Sequence, residues 1–172
     1  LMRRYDEAFG ELGLTVAQVL LTHADLADRE RLNNARDAFA ALLDAGAIPV
    51  VNENDTVATD EIRFGDNDQL ASMVVPLVGA DLLILLTDVD GVRGTDGHRL
   101  PTIAPAEADA LIASGIIRGG MVPKVRAALS ALSWDGAEAI IADGSAPDAL
   151  VRALGDPTFG TRVGATAHGG AA

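Results

Sequence analysis

Residues 82–86 form an unbroken apolar run, LLILL, entered from Asp81 and left through the polar cluster Thr87-Asp88-Val89-Asp90-Gly91. No other stretch constrains the fold as tightly. A run that is apolar at every position cannot keep one face in water. It predicts a strand covered on both faces, at the centre of a mostly parallel sheet with helices above and below. The polar cluster then falls at the strand's carboxyl end, where open α/β sheets hold their ligands.

The same grammar recurs along the chain. Residues 48–51, IPVV, follow Gly46 and predict a short buried strand. That strand breaks into Asn52-Glu53-Asn54-Asp55, and a second polar knot, Gly65-Asp66-Asn67-Asp68, follows an alternating segment over 57–64 that reads as a small hairpin-like excursion. Two readings fit these knots. They are surface Asx-turns, or they are the polar walls of a site facing solvent, ligand or metal, because buried acids are costly unless paired or ligated. Residues 139–142 predict another strand, ending in Asp143-Gly144. Polar residues thus gather at three strand ends: Asn52, Thr87-Asp88 and Asp143.

Between these strands the period changes to that of helices. Met2, Tyr5, Phe9 and Leu12 mark a helix over 3–12, closed by Gly13. Residues 14–21 read as a strand and 22–25 as the turn out of it. Leu32, Ala35, Phe39, Leu42 and Leu43 give a long helix over 28–43 one apolar face. Further helices are expected over 67–78, with Pro76 as a kink or an early end, over 105–114 from Pro105 to the stop at Gly115, over 122–134 and over 147–154. Residues 92–101 read as a loop and 161–163 as a last edge strand. The expected architecture is α/β, a three-layer αβα sandwich with a mostly parallel central sheet, formed as one domain over 1–164 with a frayed tail over 165–172.

Composition narrows the function. Thirteen Lys plus Arg stand against 25 Asp plus Glu, a formal charge of −12, so nucleic acid and anionic membrane are not the expected partners. There is no cysteine, and the three histidines, His23, His98 and His168, are scattered without zinc spacing. No apolar run reaches about 18 residues, the length a membrane-spanning helix needs, and residues 1–6 carry two arginines without an apolar stretch after them. The expected location is the cytoplasm, and the expected partners are small molecules.

The chain shows no G-x-S-x-G, no P-loop and no G-x-G-x-x-G after a strand. Gly119-Gly120-Met121 followed by Lys124 has two readings: a loop that bends round an anion and delivers a lysine beside free helix N–H groups, or a glycine-rich lead-in to a helix with a surface lysine. Thr87, Asp88 and Asp90 either hold the ribose or phosphate side of a nucleotide or cap a turn. Asp68, at a helix start, is too negative to hold phosphate itself; it suits organising lysines and magnesium around one. Phosphoryl transfer needs positioning and positive charge rather than an enzyme nucleophile, which fits a chain without an activated Ser or Cys.

Several stretches carry a resemblance to a known family: LLTHAD from Leu20, DRERLNNARD from Asp28, PVVNENDTVAT from Pro49, FGDNDQLA from Phe64 and ILLTDVDG from Ile84. Through Asp143-Gly144-Ser145 and Gly160-Thr161, nearly the whole chain resembles the amino acid kinase family. The stretches around Asn52 and Asp66 resemble its branch that phosphorylates the γ-carboxylate of L-glutamate at the start of proline biosynthesis. The resemblance implies ATP and Mg²⁺ as cofactors. It implies that Asn52, Asp55 and Asn67 contact the amino acid and that Asp68 organises the catalytic lysines. Thr87 and Asp88 would line the nucleotide pocket. Gly120, Met121 and Lys124 would close over the phosphates, with Lys124 stabilising the transferred group; Asp68 and Lys124 are then the catalytic pair. No metal ligand is expected from the protein.

One stretch departs. IASGIIRGGMVPK, from Ile112 to Lys124, resembles the acetylglutamate-phosphorylating branch of arginine biosynthesis, which keeps that substrate as an alternative, as are a carbamate or uridylate kinase-like member and a non-catalytic amino acid-binding module. The family also opens with strands, a lysine and a glycine-rich phosphate loop that do not precede Leu1, and one branch adds an RNA-binding-like C-terminal domain. The expectation is a partial chain, inactive alone, that forms a homo-oligomer or pairs with a complementing N-terminal segment.

Overall fold

The computed structural model describes residues 2–54 and 67–164, apart from the side chain of His23. The expected excursion over 57–64, with Asp55 and Asp66, lies outside the described residues, as does the expected tail over 165–172. The chain divides into two compact units, Leu1–Leu70 and Ala71–Ala172.

In the first unit, helix α1 (Met2–Gly10) leads through Gly13, at φ +72°, into strand β1 (Thr15–Leu21). The expected turn after β1 is instead the start of a short helix, α2 (His23–Ala27). Thr22 and Asp25 lie three apart and close a reciprocal capping box, which supplies partners for the N–H groups a helix start leaves open. Helix α3 (Arg29–Asp44) follows at once. Asp28 caps it, accepting from the Glu30 and Arg31 amides at 3.0 Å each, and Gly46 ends it at φ +72°. Strand β2 (Ala47–Glu53) returns parallel to β1, in register from Thr15 opposite Ala47 to Leu21 opposite Glu53. Phe39 of α3, Leu21 and Ala47 are buried. The unit is a β-α-β crossover whose strands run to the same end, and Asn52 is the penultimate residue of β2, opposite Leu20.

Helix α4 (Asn67–Val78) runs through Pro76 rather than ending before it. From Ala71 on it belongs to the second unit, and Val75 enters that unit's core. Then come β3 (Leu82–Thr87), β4 (Thr102–Ile103), α5 (Pro105–Ala113), α6 (Met121–Ala131), β5 (Glu138–Asp143), α7 (Ala149–Gly155) and β6 (Thr161–Val163). The strands lie in the order β3-β5-β6-β4; β3 pairs parallel with β5, β4 parallel with β6, and β5 antiparallel with β6.

Two expectations change here. The LLILL strand does meet both cores, through Leu83 and Leu85 on one face and Leu82 and Ile84 on the other, but it lies at one end of this order, and the strand wholly buried on both faces is β5. Its residues alternate between two cores. Ala139 and Ile141 pack with Ala127, Ala128 and Ala131 of α6; Ile140 and Ala142 pack with Ala149 and Ala153 of α7 and with Phe159. All four strand residues are wholly buried, whereas Leu86 of β3 is 42% exposed. The alanines on both sides of β5 let helices approach closely, and small residues advertise burial less loudly than leucines do. The expected edge strand, β6, is interior: it bridges β5 and β4, and Thr161 and Val163 are fully buried. Among the described residues no helix is long and apolar enough to cross a membrane.

Candidate active site

The parallel register of β3 and β5 sets Thr87 opposite Asp143, so two of the three polar strand ends meet at one edge of the second unit's sheet. The join is made by backbone: the Gly144 amide donates to the Thr87 carbonyl at 2.8 Å. The Thr87 hydroxyl turns to Asp88, donating to Oδ1 at 3.2 Å. Asp143 Oδ1 accepts from the amide and hydroxyl of Ser145 at 2.8 and 2.7 Å. Those bonds, the hydroxyl's first, hold its carboxyl below the usual carboxylate range. Asp143 is thereby committed to its own turn.

Beyond Asp88 the chain passes Gly91 into a short hairpin. The Leu100 amide donates to the Val92 carbonyl at 2.8 Å and the Gly94 amide to the His98 carbonyl at 2.9 Å. On one side of this hairpin lies a cleft of about 180 Å³, walled by Val89, Gly91 and Arg93 and, opposite, by Ile116, Ile117, Arg118 and Met121. Its surface is apolar with two guanidinium groups. Arg93 is tied to Asp90 at 3.1 Å and to the Gly97 carbonyl at 3.0 Å, while Arg118 is exposed. Of the nucleotide residues expected from sequence, Met121 lines this cleft; Thr87, Asp88, Gly120 and Lys124 are not on its wall.

Gly120 is the N-cap of α6, and no side chain closes that end. Gly119 turns the chain there at φ +60°, Pro123 occupies the first turn, and the turn holds no acid. Lys124 is half-buried on the same turn. The Met121 and Val122 amides donate to the Arg118 and Gly119 carbonyls at 3.4 and 3.2 Å and Pro123 has no N–H, so what this turn offers an anion is the Lys124 ammonium. Arg93, Ile116 and Ile117 were missed in the sequence. The one signal for the isoleucines was an apolar pair directly before a glycine-rich bend.

In the first unit, Asn52 is half-buried near the end of β2, and the Asn54 amide donates to the Leu21 carbonyl at 2.9 Å. Asn67 is exposed and Asp68 half-buried in the first turn of α4. A second cleft, of about 320 Å³, lies beside the end of β1, with Leu20, Asp25, Arg31 and Asn34 in its wall. The Thr22 hydroxyl donates to Asp25 Oδ2 at 2.6 Å, and Arg31 lies 3.4 Å from its other oxygen. These contacts, Thr22's first, hold the Asp25 carboxyl below its ordinary range against the opposing effect of burial.

The profile of the amino acid kinase family matches residues 1–143. The chain belongs to the amino acid kinase family. It is 46% identical over 170 residues to the glutamate 5-kinase of Burkholderia multivorans, covering 92% of this chain and 45% of that one. It is 47% identical over 174 residues to the glutamate 5-kinase of Bordetella pertussis, covering 95% and 46%. The chain therefore spans about half the length of the curated relatives it matches. Among solved structures, the carbamate kinase of Giardia lamblia bound to AMP-PNP superposes with a TM-score of 0.59 at 26% identity, over 74% of this chain and 43% of that one. The UMP kinase of Ureaplasma parvum superposes with a TM-score of 0.61 over 92% of this chain and 63% of that one; at 13% identity that likeness speaks for the shared amino acid kinase-like α/β fold.

Proposed function

We propose that this amino acid kinase chain is part of an ATP-dependent kinase that phosphorylates the γ-carboxylate of L-glutamate. The observation that carries the reading is identity of 44–47% to glutamate 5-kinases over 92–96% of the chain. The acetylglutamate-like segment ending at Lys124 does not extend to the rest of the sequence. The second unit supplies the nucleotide side: the apolar cleft at Met121 suits a base, and Lys124, on the first turn of α6, suits the phosphates. Because the cleft is small, it would hold part of a nucleotide rather than all of one. Thr87 and Asp88 stand at the adjoining sheet end. Asn52, Asp55 and Asn67 are proposed as the contacts to the amino acid, and Asp68 as the group that orders the catalytic lysines.

Transfer of a phosphoryl group to a carboxylate brings several negative oxygens together, so cationic groups must offset charge that grows in the transition state. Lys124 is the only lysine in the chain, and it is placed for that work. Among the described residues no three carboxylate or imidazole groups converge on a metal position. Mg²⁺ is proposed as an ion carried by the triphosphate, where it would neutralise charge between the phosphates.

The test replaces the matched 170 residues of the Burkholderia multivorans enzyme with this chain and measures ADP release. Turnover with L-glutamate and little with acetylglutamate is the expected result. Preference for acetylglutamate, or turnover with neither substrate in a folded chimera, overturns the proposal.

A further inference from the structure

Gly160-Thr161 has so far been given no role beyond the strand it begins. Thr161 is wholly buried at 0% exposure, yet its hydroxyl serves another part of the chain. Oγ1 accepts from the Val92 amide at 2.9 Å and donates to the Leu100 carbonyl at 2.6 Å. Those two residues form the root of the hairpin over 92–100, so one side chain on β6 joins both of its arms. Arg99, on the returning arm, adds to the clamp: its guanidinium donates to the Gly160 carbonyl and, at 2.8 Å, to the Thr158 carbonyl.

The fit is close. Gly91 has φ +145°, and a Cβ there would stand 2.5 Å from Thr161 Oγ1 and 3.0 Å from Arg99 Cδ. The backbone of Gly91 can come this near only because it has no side chain. Gly91 is also the middle of the wall that Val89, Gly91 and Arg93 present to the cleft, across from Met121. The position of that wall is thus set from behind, by a hydroxyl that never reaches the cleft.

We propose that Thr161 is a positioning residue for nucleotide binding: it fixes the wall over 89–93 at the distance from Met121 that the ligand requires. The inference rests on the reading of this cleft as the nucleotide side. A valine in its place keeps the shape but leaves the Val92 N–H and the Leu100 carbonyl without the hydroxyl, and buried polar groups do not stay unpaired cheaply. The backbone there would shift to find other partners, and the wall would move with it. A serine keeps the oxygen and both bonds.

The test compares the Burkholderia multivorans chimera carrying this chain with the same chimera bearing Thr161→Val, Thr161→Ser or Gly91→Ala, using amide hydrogen exchange and calorimetric titration with MgATP. In Thr161→Val, exchange over 89–93 is expected to rise about tenfold, and MgATP affinity to fall about tenfold, as loss of one buried hydrogen-bonding group predicts. Exchange over 82–86 and 139–142 stays as in the parent. Thr161→Ser restores both readouts. Gly91→Ala, which presses on the same contact from the other side, reproduces the defect if the valine variant does not fold. Unchanged exchange over 89–93 in both Thr161→Val and Gly91→Ala overturns the proposal, and so does loss of protection spread evenly over the sheet, which makes Thr161 a core residue and nothing more. A parent chimera that binds no MgATP overturns the nucleotide reading of the cleft, and with it the consequence for binding; exchange over 89–93 still decides whether Thr161 holds that wall.

Discussion

At the scale of single residues, Lys124 and Asp25 show how position converts an ordinary side chain into a specific one. Lys124 lies on the first turn of a helix whose N-terminus has no side-chain cap, where its ammonium can meet an anion. Charge on a transferring phosphoryl group grows towards the transition state, so Lys124→Ala in the chimera should lower kcat by the equivalent of about 2–4 kcal/mol while the KM for ATP changes little. Unchanged kcat would place Lys124 on an idle surface. Asp25 is half of the capping box that starts α2. Thr22→Ala should lower the free energy of unfolding by about 1 kcal/mol at neutral pH, the usual cost of a lost cap. Because the folded carboxyl is held below its ordinary 3.8, its contribution is complete above that value and disappears as pH falls through the lower, folded one. The gap between parent and variant in urea unfolding should therefore narrow in acid; a gap that widens there would mean that Asp25 is not stabilised as its contacts imply.

At the scale of elements, the organising strand is β5, with helices packed on both of its faces through alanines. Its partner β6 pairs antiparallel with it after the chain has passed through α7, and Gly160, just before β6, lies close against β5. That residue has φ +77°, and a Cβ would lie 2.7 Å from the Ile141 carbonyl oxygen. Gly136 has a similar φ of +84° with nothing within 4 Å. The two glycines separate backbone strain from steric collision. Gly136→Ala should cost about 1 kcal/mol, the conformational penalty alone, and Gly160→Ala distinctly more, since main chain must also move. Equal losses in thermal or urea unfolding would show that the contact of Gly160 with β5 yields more easily than this geometry allows. Truncation inside the strand should be dearer still: Ile141→Ala removes a side chain with 0% exposure and is expected to cost about 2–5 kcal/mol.

At the scale of the whole molecule, two compact units each present a parallel pair of strands whose polar ends share a direction, β1 with β2 and β3 with β5. The first holds Asn52, and the second holds Thr87, Asp88 and Lys124. The proposed division of labour predicts that substrate choice and nucleotide binding can be altered separately: Asn52→Ala should raise the KM for glutamate by about tenfold or more, as loss of a polar contact to a polar substrate does, and leave the KM for ATP unchanged. An equal effect on both would remove Asn52 from the amino acid side. The sequence by itself determined the class of fold, because strand runs, helical periods and their breaks are local signals of burial. It determined the polar strand ends for the same reason, and the family through long motifs such as PVVNENDTVAT. Only the tertiary structure decided which strand is interior and wholly buried, since pairing order is a contest between segments distant in sequence and LLILL advertises its apolarity more strongly than the alanine-rich strand that occupies the interior. It alone decided that β6 is interior, that Arg93 and Ile117 meet Met121 across one cleft, and that Thr161 reaches back 69 residues to Val92. No local pattern encodes a hydrogen bond whose two ends are brought together by the sheet between them.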